Sequence, residues 1–233
     1  MKVQRLRFRY RLTADAGALG HRDIAAAWES AMKAAGLPLA QSEAKRPAPL
    51  ISLAAPLPMG ATSDCEIADV FLECRVDPAS ALERVGQHLP AGVEAADVYE
   101  VGVSAPAVQA SLRWAEFEVT VPGEGLSAEE VQAAIDRLLA ANALPSEYRR
   151  EKKVREYDLR PLVLDIRLAG REGEAYVLRM RLRAEQENTA RADQTVLALG
   201  LPAPLRVHRT RLEVDDSPAA VRAYRRLGEP KPD

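Results

Sequence analysis

The residues with the clearest capacity for chemistry are arginines that recur at every second position. One row occurs near the N-terminus and a second in the last quarter of the chain, at Arg5, Arg7, Arg9 and Arg11 and at Arg179, Arg181 and Arg183. Side chains on a β-strand alternate between its faces, so each row should stand on one sheet face with guanidinium groups roughly 6.6 Å apart. That spacing is close to the phosphate spacing of an extended nucleic-acid strand, and the guanidinium fork suits phosphate.

The same rows have a structural interpretation. In a ferredoxin-like sheet the first strand neighbours the third, where Asp69 and Glu73 would offer cross-strand partners to the first row. The arginines are then either neutralised by carboxylates or exposed as an anion-binding face. Recurrence of the row in the second half of the chain favours the anion-binding face, and the structural alternative stays open.

A basic segment at 148–160 is a second candidate for anion binding. Its charged candidate residues are Arg149, Arg150, Lys152, Lys153, Arg155, Asp158 and Arg160. Basic residues interleaved with tyrosines can contact an RNA backbone and stack a base. Because Glu151 and Glu156 dilute the positive charge, a merely solvated loop is the alternative.

A third candidate combines His21 and Asp23, at the entrance of a predicted helix, with Lys45 and Arg46 in a proline-rich loop. An aspartate here can cap the helix or orient the imidazole towards a ligand. A metal site is disfavoured because only two other histidines exist and both fall in other elements. No phosphate-binding glycine loop, HExxH spacing or nucleophile elbow occurs, so we predict no catalytic residue.

The composition restricts the class of protein. Lys and Arg number 32 against 34 Asp and Glu, giving a net charge of −2, so any attraction to nucleic acid must come from local charge segregation. The two cysteines, Cys65 and Cys74, are too few for a disulfide framework or an iron–sulfur cluster. Without a signal-peptide pattern or an apolar run of about 18 residues, we expect a cytoplasmic protein with no membrane partner.

The elements that must position these residues follow the same order twice. The order is strand, helix, strand, strand, helix, strand, first in residues 1–105 and again in 110–215. The predicted strands are 3–12, 50–54, 66–76, 93–101, 112–121, 154–168, 175–184 and 205–214. The predicted helices are 23–35, one opened by Asp77 and Pro78, one from Ser127 to Asn142, and 191–199. We therefore expect an α+β fold of tandem duplicated ferredoxin-like (βαββαβ) units, with a C-terminal helix and tail in 216–233.

Several short motifs support a family resemblance. They lie at 5–10, 17–23, 34–40, 51–54, 56–60, 158–161, 190–193, 199–201 and 207–210. In their order and spacing the chain resembles the radical SAM-linked domain, a domain of unknown function fused to, or encoded beside, cobalamin-binding radical SAM proteins. The resemblance implies a radical SAM protein as partner. It implies that the iron–sulfur cluster, S-adenosylmethionine and cobalamin belong to that partner, with no cofactor in this chain.

One loop departs from the family pattern. Where relatives carry a glycine–phenylalanine step and a proline–histidine–proline run, residues 42–49 here read SEAKRPAP, without histidine or aromatic residue. If this loop is a site in relatives, its chemistry is altered or lost here.

Our leading hypothesis is a non-catalytic accessory subunit that binds RNA or another anionic substrate for a radical SAM partner enzyme. The main alternative is a protein–protein adaptor whose arginine ladders are structural. A third is a stand-alone enzyme acting through His21, Asp23 and the loop of Lys45 and Arg46.

Overall fold

The chain is an α+β protein that divides into two compact units. The computed structural model describes residues 1–17, 19–150 and 153–215, apart from the side chains of 148–150 and 153–155. Unit 1 comprises Met1–Leu112 and the described residues from Val214 onward, and unit 2 comprises Arg113–Glu213. The C-terminal helix predicted within 216–233 lies outside the described residues. No helix in the described ranges is both long and apolar enough to cross a membrane.

Unit 1 packs helices on an antiparallel sheet. Its elements are β1 (Gln4–Leu12), α1 (His21–Ala34), β2 (Ile51–Leu53), β3 (Thr62–Leu72), α2 (Pro78–Gly86), β4 (Val93–Val101) and the short α3 (Val108–Ser111). Strand β1 lies between β4 and β3, β2 also pairs with β3, and all three pairings are antiparallel.

The core of unit 1 forms where the period-two pattern of β1 meets the apolar stripe of α1. Phe8 and Tyr10 of β1 place their rings 5.4 and 5.0 Å from the ring of Trp28. All three side chains are buried, as the alternation in β1 and the apolar stripe of α1 predict. This packing holds the remaining residues of β1, including its arginines, on the other face of the strand.

Two helix boundaries of unit 1, the start of α2 and the end of α1, follow from local chemistry, as predicted. Asp77 accepts a hydrogen bond from the Ser80 N–H at 2.8 Å, and Pro78 occupies the first turn of α2. Gly36 has φ 64°, a left-handed conformation that suits glycine after the last turn of α1.

Unit 2 contains a four-stranded sheet and a separate hairpin. Its elements are β5 (Leu112–Pro122), α4 (Ala128–Ala140), β6 (Pro145–Arg150), β7 (Lys153–Asp158), β8 (Val163–Glu172), β9 (Ala175–Arg183), α5 (Ala192–Ala198) and β10 (Arg206–Val214). The strand order is β10-β5-β9-β8, and β9 pairs antiparallel with both of its neighbours. Strands β6 and β7 form a separate two-stranded sheet.

The prediction of one strand over 154–168 is wrong. Asp158 Oδ1 accepts from the Leu144 and Arg160 N–H groups at 2.7 and 3.0 Å, and a 3-10 turn at Arg160–Leu162 follows. Pro161 has no N–H to donate to a ladder, so the strand breaks here. Its first part becomes β7, paired with the unpredicted β6, and its second part becomes β8. A smaller error concerns β3, predicted at 66–76 and found at Thr62–Leu72.

Candidate functional site

The first two arginines of the N-terminal row lie in the interior of unit 1. Arg5 and Arg7 are each 1% exposed and Asp69 is fully buried. Arg7 donates to Asp69 Oδ1 from Nε at 2.8 Å and to Oδ2 from Nη2 at 3.1 Å, and Arg5 contacts Oδ2 through Nε and Nη2. Arg5 also donates to the carbonyls of Ala105 and Pro106 at 2.8 and 2.9 Å. A row of four guanidinium groups open to a ligand is therefore not present on β1, because two of them are enclosed around one carboxylate.

The other two members of the row lie at the surface. Arg9 and Arg11 are exposed, opposite Asp97 and Glu94 in the register of β1 with β4. Neither arginine makes an ion pair with another residue in the described part of the chain. Glu73, predicted as a ladder partner, instead lies 3.8 Å from the amino group of Met1.

The helix-entrance candidate is a cap. Asp23 Oδ2 accepts a hydrogen bond from the Gly20 N–H at 2.9 Å, which confirms the capping interpretation. His21 is half-buried in the first turn of α1. Lys45 and Arg46 are exposed at the tip of a loop that is closed by the Ser42 Oγ, which accepts from the Ala48 N–H at 3.1 Å.

Among the described residues, no group of three or more His, Cys, Asp and Glu side chains could hold a metal ion.

Two members of the basic segment act within the fold of unit 2. Asp158 forms the turn that ends β7, and Arg160 donates from Nη2 to the Leu139 carbonyl at 2.8 Å, near the end of α4. Arg160 Nη1 also donates to the Val163 carbonyl at 2.9 Å. The remaining candidates, Arg149, Arg150, Lys153 and Arg155, belong to the β6–β7 hairpin but their side chains lie outside the described residues, as does the whole of Lys152.

Tyr157 lies within electrostatic reach of Arg191 and Asp193. Burial raises the pKa of Tyr157, the Arg191 charge opposes that rise, and the Asp193 charge adds to it. Burial acts to raise the pKa of Asp193 as well, but hydrogen bonds and charge from Arg191, with hydrogen bonds from Gln194, hold that pKa below its usual range. Arg191 donates to the two Asp193 oxygens at 3.0 and 2.8 Å. The charges of Arg191 and Asp193 therefore both influence the pKa of the Tyr157 phenol.

The second arginine row stands on an open face of the unit 2 sheet, each member with an acidic partner. Arg179 reaches Glu118 at 3.3 Å, Arg181 reaches Glu116 at 2.6 Å, and Arg183 reaches Glu185 at 2.9 Å. These pairs are solvent-exposed: 57% of the Arg179 side chain and 47% of the Arg181 side chain are accessible. Exposed ion pairs of this kind contribute only about 0–1 kcal/mol each, so the arginines remain available to a stronger anionic partner.

A groove on this face brings Arg179 and Arg181 together with residues that the sequence did not single out. We define the arginine groove as the open concavity of about 470 Å³ whose polar wall is Glu116, Asp165, Arg167, Arg179, Arg181 and Thr210. Arg167 stands opposite Arg179 in the β8–β9 register, and Asp165 stands opposite Arg181. Beside the groove, the Arg181 and Arg211 guanidinium carbons lie 4.6 and 4.9 Å from the centre of the Trp114 ring.

The strand that carries Arg167 could have been found from the sequence. Pro161 indicates a strand break, which would have started β8 near Val163, and Gly173 indicates the β8–β9 turn. Counting back from that turn places Arg167 on the strand beside Arg179, and the register shift between Leu168 and Gly170 sets their direct pairing. Treating 154–168 as one strand concealed this relation.

Comparison with curated proteins gave no match. Among solved structures, the chain aligns with a chain of a Cbf5-Nop10-Gar1 complex (TM-score 0.48, 10% identity, 90% of this chain and 50% of the other). It also aligns with a chain of an H/ACA RNP bound to a substrate RNA containing 2'-deoxyuridine (TM-score 0.44, 12% identity, 88% and 47%). A third alignment is with a chain of the archaeal box H/ACA sRNP Nop10-Cbf5 complex (TM-score 0.44, 11% identity, 89% and 49%).

This chain spans about half the length of each of these three chains. Alignments this remote carry no argument about function. At the level of sequence, residues 5–192 match the model of the family described as an uncharacterized protein conserved in bacteria (DUF2344), and the chain belongs to that family.

Proposed function

We propose that this chain is a non-catalytic accessory subunit that binds RNA or another anionic ligand for a radical SAM partner enzyme. The partner would supply the iron–sulfur cluster, S-adenosylmethionine and cobalamin. The observation that carries the binding role is the arginine groove, where Arg167, Arg179 and Arg181 share one open sheet face. The partner is supported by the motif resemblance of segments such as 17–23, 158–161 and 190–193.

We also propose that the architecture is a tandem duplication of ferredoxin-like units, with halves at 1–105 and 110–215 and a separate segment at 216–233. Strand order supports it. In unit 1, β1 lies between β4 and β3, with β2 beside β3. In unit 2, β5 lies between β10 and β9, with β8 beside β9. The two units therefore follow one connection pattern, with the β6–β7 hairpin inserted in the second.

The ligand would bind through local charge, since the net charge of −2 gives no general attraction to polyanions. Arg179, exposed on the sheet face, can exchange its weak contact with Glu118 for phosphate oxygens. Binding of this kind releases counterions, so the affinity should fall steeply with salt.

The test is a titration of the purified full chain against a fluorescent single-stranded RNA oligonucleotide at several salt concentrations. We expect salt-sensitive binding that weakens in the double variant Arg179→Gln/Arg181→Gln. Each lost phosphate contact should reduce the salt slope by roughly 0.7. Arg22→Gln/Arg137→Gln is the matched control, because both of these arginines are exposed on helices and the charge change is the same. RNA binding that is absent, or present but insensitive to salt, would overturn the RNA-binding role.

The protein–protein adaptor is the second candidate, and the enclosed Arg5, Arg7 and Asp69 cluster favours it for β1. Co-purification with the radical SAM partner, together with no affinity for RNA, would support this alternative. A stand-alone enzyme acting through His21 and Asp23 has less support, because the Asp23 carboxylate is engaged with the Gly20 N–H. Unchanged activity in His21→Ala would remove it.

A further inference from the structure

We propose that the arginine groove holds a single phosphate group between Arg167 and Arg179. This inference deepens the anion-binding role proposed above and rests on it. The two arginines are direct partners in the antiparallel register of β8 and β9, with the buried pair Ile166 and Met180 beside them on the opposite face. Directly opposed residues have Cβ atoms about 4.5–5.5 Å apart, so two guanidinium groups here can reach the same small anion.

Like charges directly opposite each other on a sheet are destabilising. The acidic residues around Arg167 and Arg179 neutralise this repulsion only in part. Glu118 is shared: Arg206 reaches its Oε1 at 3.0 Å, and Arg179 reaches its Oε2 at 3.3 Å. The Arg179 contact is longer than the 2.7–2.9 Å typical of charge-assisted hydrogen bonds. Arg167 makes no ion pair with any residue that the structure describes. Positive charge is therefore in excess at this end of the groove.

The opposite end of the groove has the reverse character. Arg181 is held by Glu116 at 2.6 Å, and Asp165 adds a second exposed carboxylate next to that pair. These carboxylates would repel an anion bound there. The groove thus favours one phosphate at the Arg167 and Arg179 end and disfavours a second one at the Asp165 end.

Phosphate fits this site because its oxygens can accept from two guanidinium forks at once, each in bidentate geometry. The volume of about 470 Å³ exceeds that of a phosphate and leaves room for the sugar or nucleoside attached to it. The phosphate can therefore belong to an RNA backbone or to a free phosphorylated compound.

The experiment uses the full-length chain with inorganic phosphate as the probe and calorimetry as the readout. Arg167→Gln should weaken phosphate binding roughly tenfold or more, the effect expected for losing hydrogen bonds to a charged group. Arg137→Gln makes the same charge change on α4 and should leave phosphate affinity unchanged. Equal phosphate affinity in wild type and Arg167→Gln, or no phosphate binding by the wild type, would overturn the site.

Unfolding measurements provide a second test. In phosphate-free buffer Arg167→Gln should be at least as stable as the wild type, because the opposed like charges are gone. In excess phosphate the wild type should gain more stability than the variant, by mass action. An identical gain in both proteins would contradict the proposal.

RNA titrations of the wild type and Arg167→Gln distinguish failure of the phosphate site from failure of the proposed function. RNA binding that is intact and equal in wild type and Arg167→Gln overturns the phosphate site but leaves the RNA-binding role standing. Phosphate binding that depends on Arg167, with neither RNA nor the radical SAM partner bound, supports the site and refutes the accessory role. Binding of both probes that weakens in Arg167→Gln supports both and identifies an RNA phosphate as an occupant.

Discussion

Arg7 donates from Nε to Oδ1 of Asp69 at 2.8 Å, and neither side chain is more than 1% exposed. Arg5 uses the same carboxylate and also holds the Ala105 and Pro106 carbonyls. One aspartate thereby joins β1 to β3 and, through Arg5, to the segment that follows β4. Because this cluster is buried, removing the carboxylate or a guanidinium group would leave the remaining charge without its partner.

Replacing Asp69 with asparagine should lower the free energy of unfolding by about 3–5 kcal/mol, because buried guanidinium groups lose their counter-charge. Urea denaturation measures the change. Glu94→Gln, which alters an exposed carboxylate on β4, is the control and should shift stability by less than about 0.5 kcal/mol. A stable Asp69→Asn protein with impaired RNA binding would show that the cluster serves a ligand instead of the fold.

Asp23→Ala should cost about 1 kcal/mol of stability through loss of the capping bond to Gly20, and it should leave RNA affinity unchanged. Denaturation and RNA titration of the same preparation separate the two effects. His21→Ala, two residues earlier in the same turn, controls for loss of a side chain that makes no capping bond. Reduced RNA affinity at full stability in Asp23→Ala would argue for ligand contact.

The sequence correctly predicted those elements whose signals lie within the element itself. Strand β4 was predicted at its observed bounds, and the capping box of Ser127 and Glu130 on α4 was predicted correctly, since strand alternation and capping are local. Which of the N-terminal arginines are buried and which are exposed could not be predicted in this way. Arg5 and Arg9 occupy equivalent positions in the alternating pattern of β1. Only Arg5, however, is covered by Ala105 and Pro106, which lie about 100 residues away in the sequence.

The arginine groove illustrates the same limit. The row on β9 was visible as a pattern, but its significance depends on Arg167 of the neighbouring strand, and register across a turn is a tertiary property. The proline before β8 indicates where that strand begins, but the register with β9 also depends on the shift between Leu168 and Gly170.

Arg160→Gln should destabilise the protein by about 1–3 kcal/mol, because the Leu139 carbonyl near the end of α4 loses a charged donor. Chemical denaturation followed by circular dichroism measures this loss. Arg137→Gln, in the last turn of the same helix, is the matched control and should have a smaller effect. A stable Arg160→Gln protein with weakened RNA affinity would return Arg160 to the list of ligand contacts.

Stability in acid should depend on Asp193. Although burial acts to raise the pKa of its carboxyl, hydrogen bonds and charge from Arg191 and hydrogen bonds from Gln194 hold that pKa below its usual range. A carboxyl whose pKa is depressed in the folded state stabilises the fold above its unfolded pKa of about 3.9 and loses that contribution as the pH falls through the folded value. Wild type should therefore be more stable than Asp193→Asn by a constant amount above about pH 5, and the difference should shrink towards pH 3.

Denaturation curves of both proteins across this range measure the effect, and Arg191→Gln tests its cause. Without the arginine, burial opposes the ionised carboxyl with less compensation, so the pKa of Asp193 should rise and the acid-dependent loss of stability should become smaller. An Arg191→Gln protein with the same pH profile as the wild type would mean that the ion pair does not set the pKa of Asp193.

Since Tyr157 lies within reach of both charges, its phenol titration, followed by ultraviolet absorbance, gives an independent test of the Arg191 charge. Burial raises the pKa of Tyr157 and the Arg191 charge limits that rise, so removing Arg191 should move the titration to still higher pH.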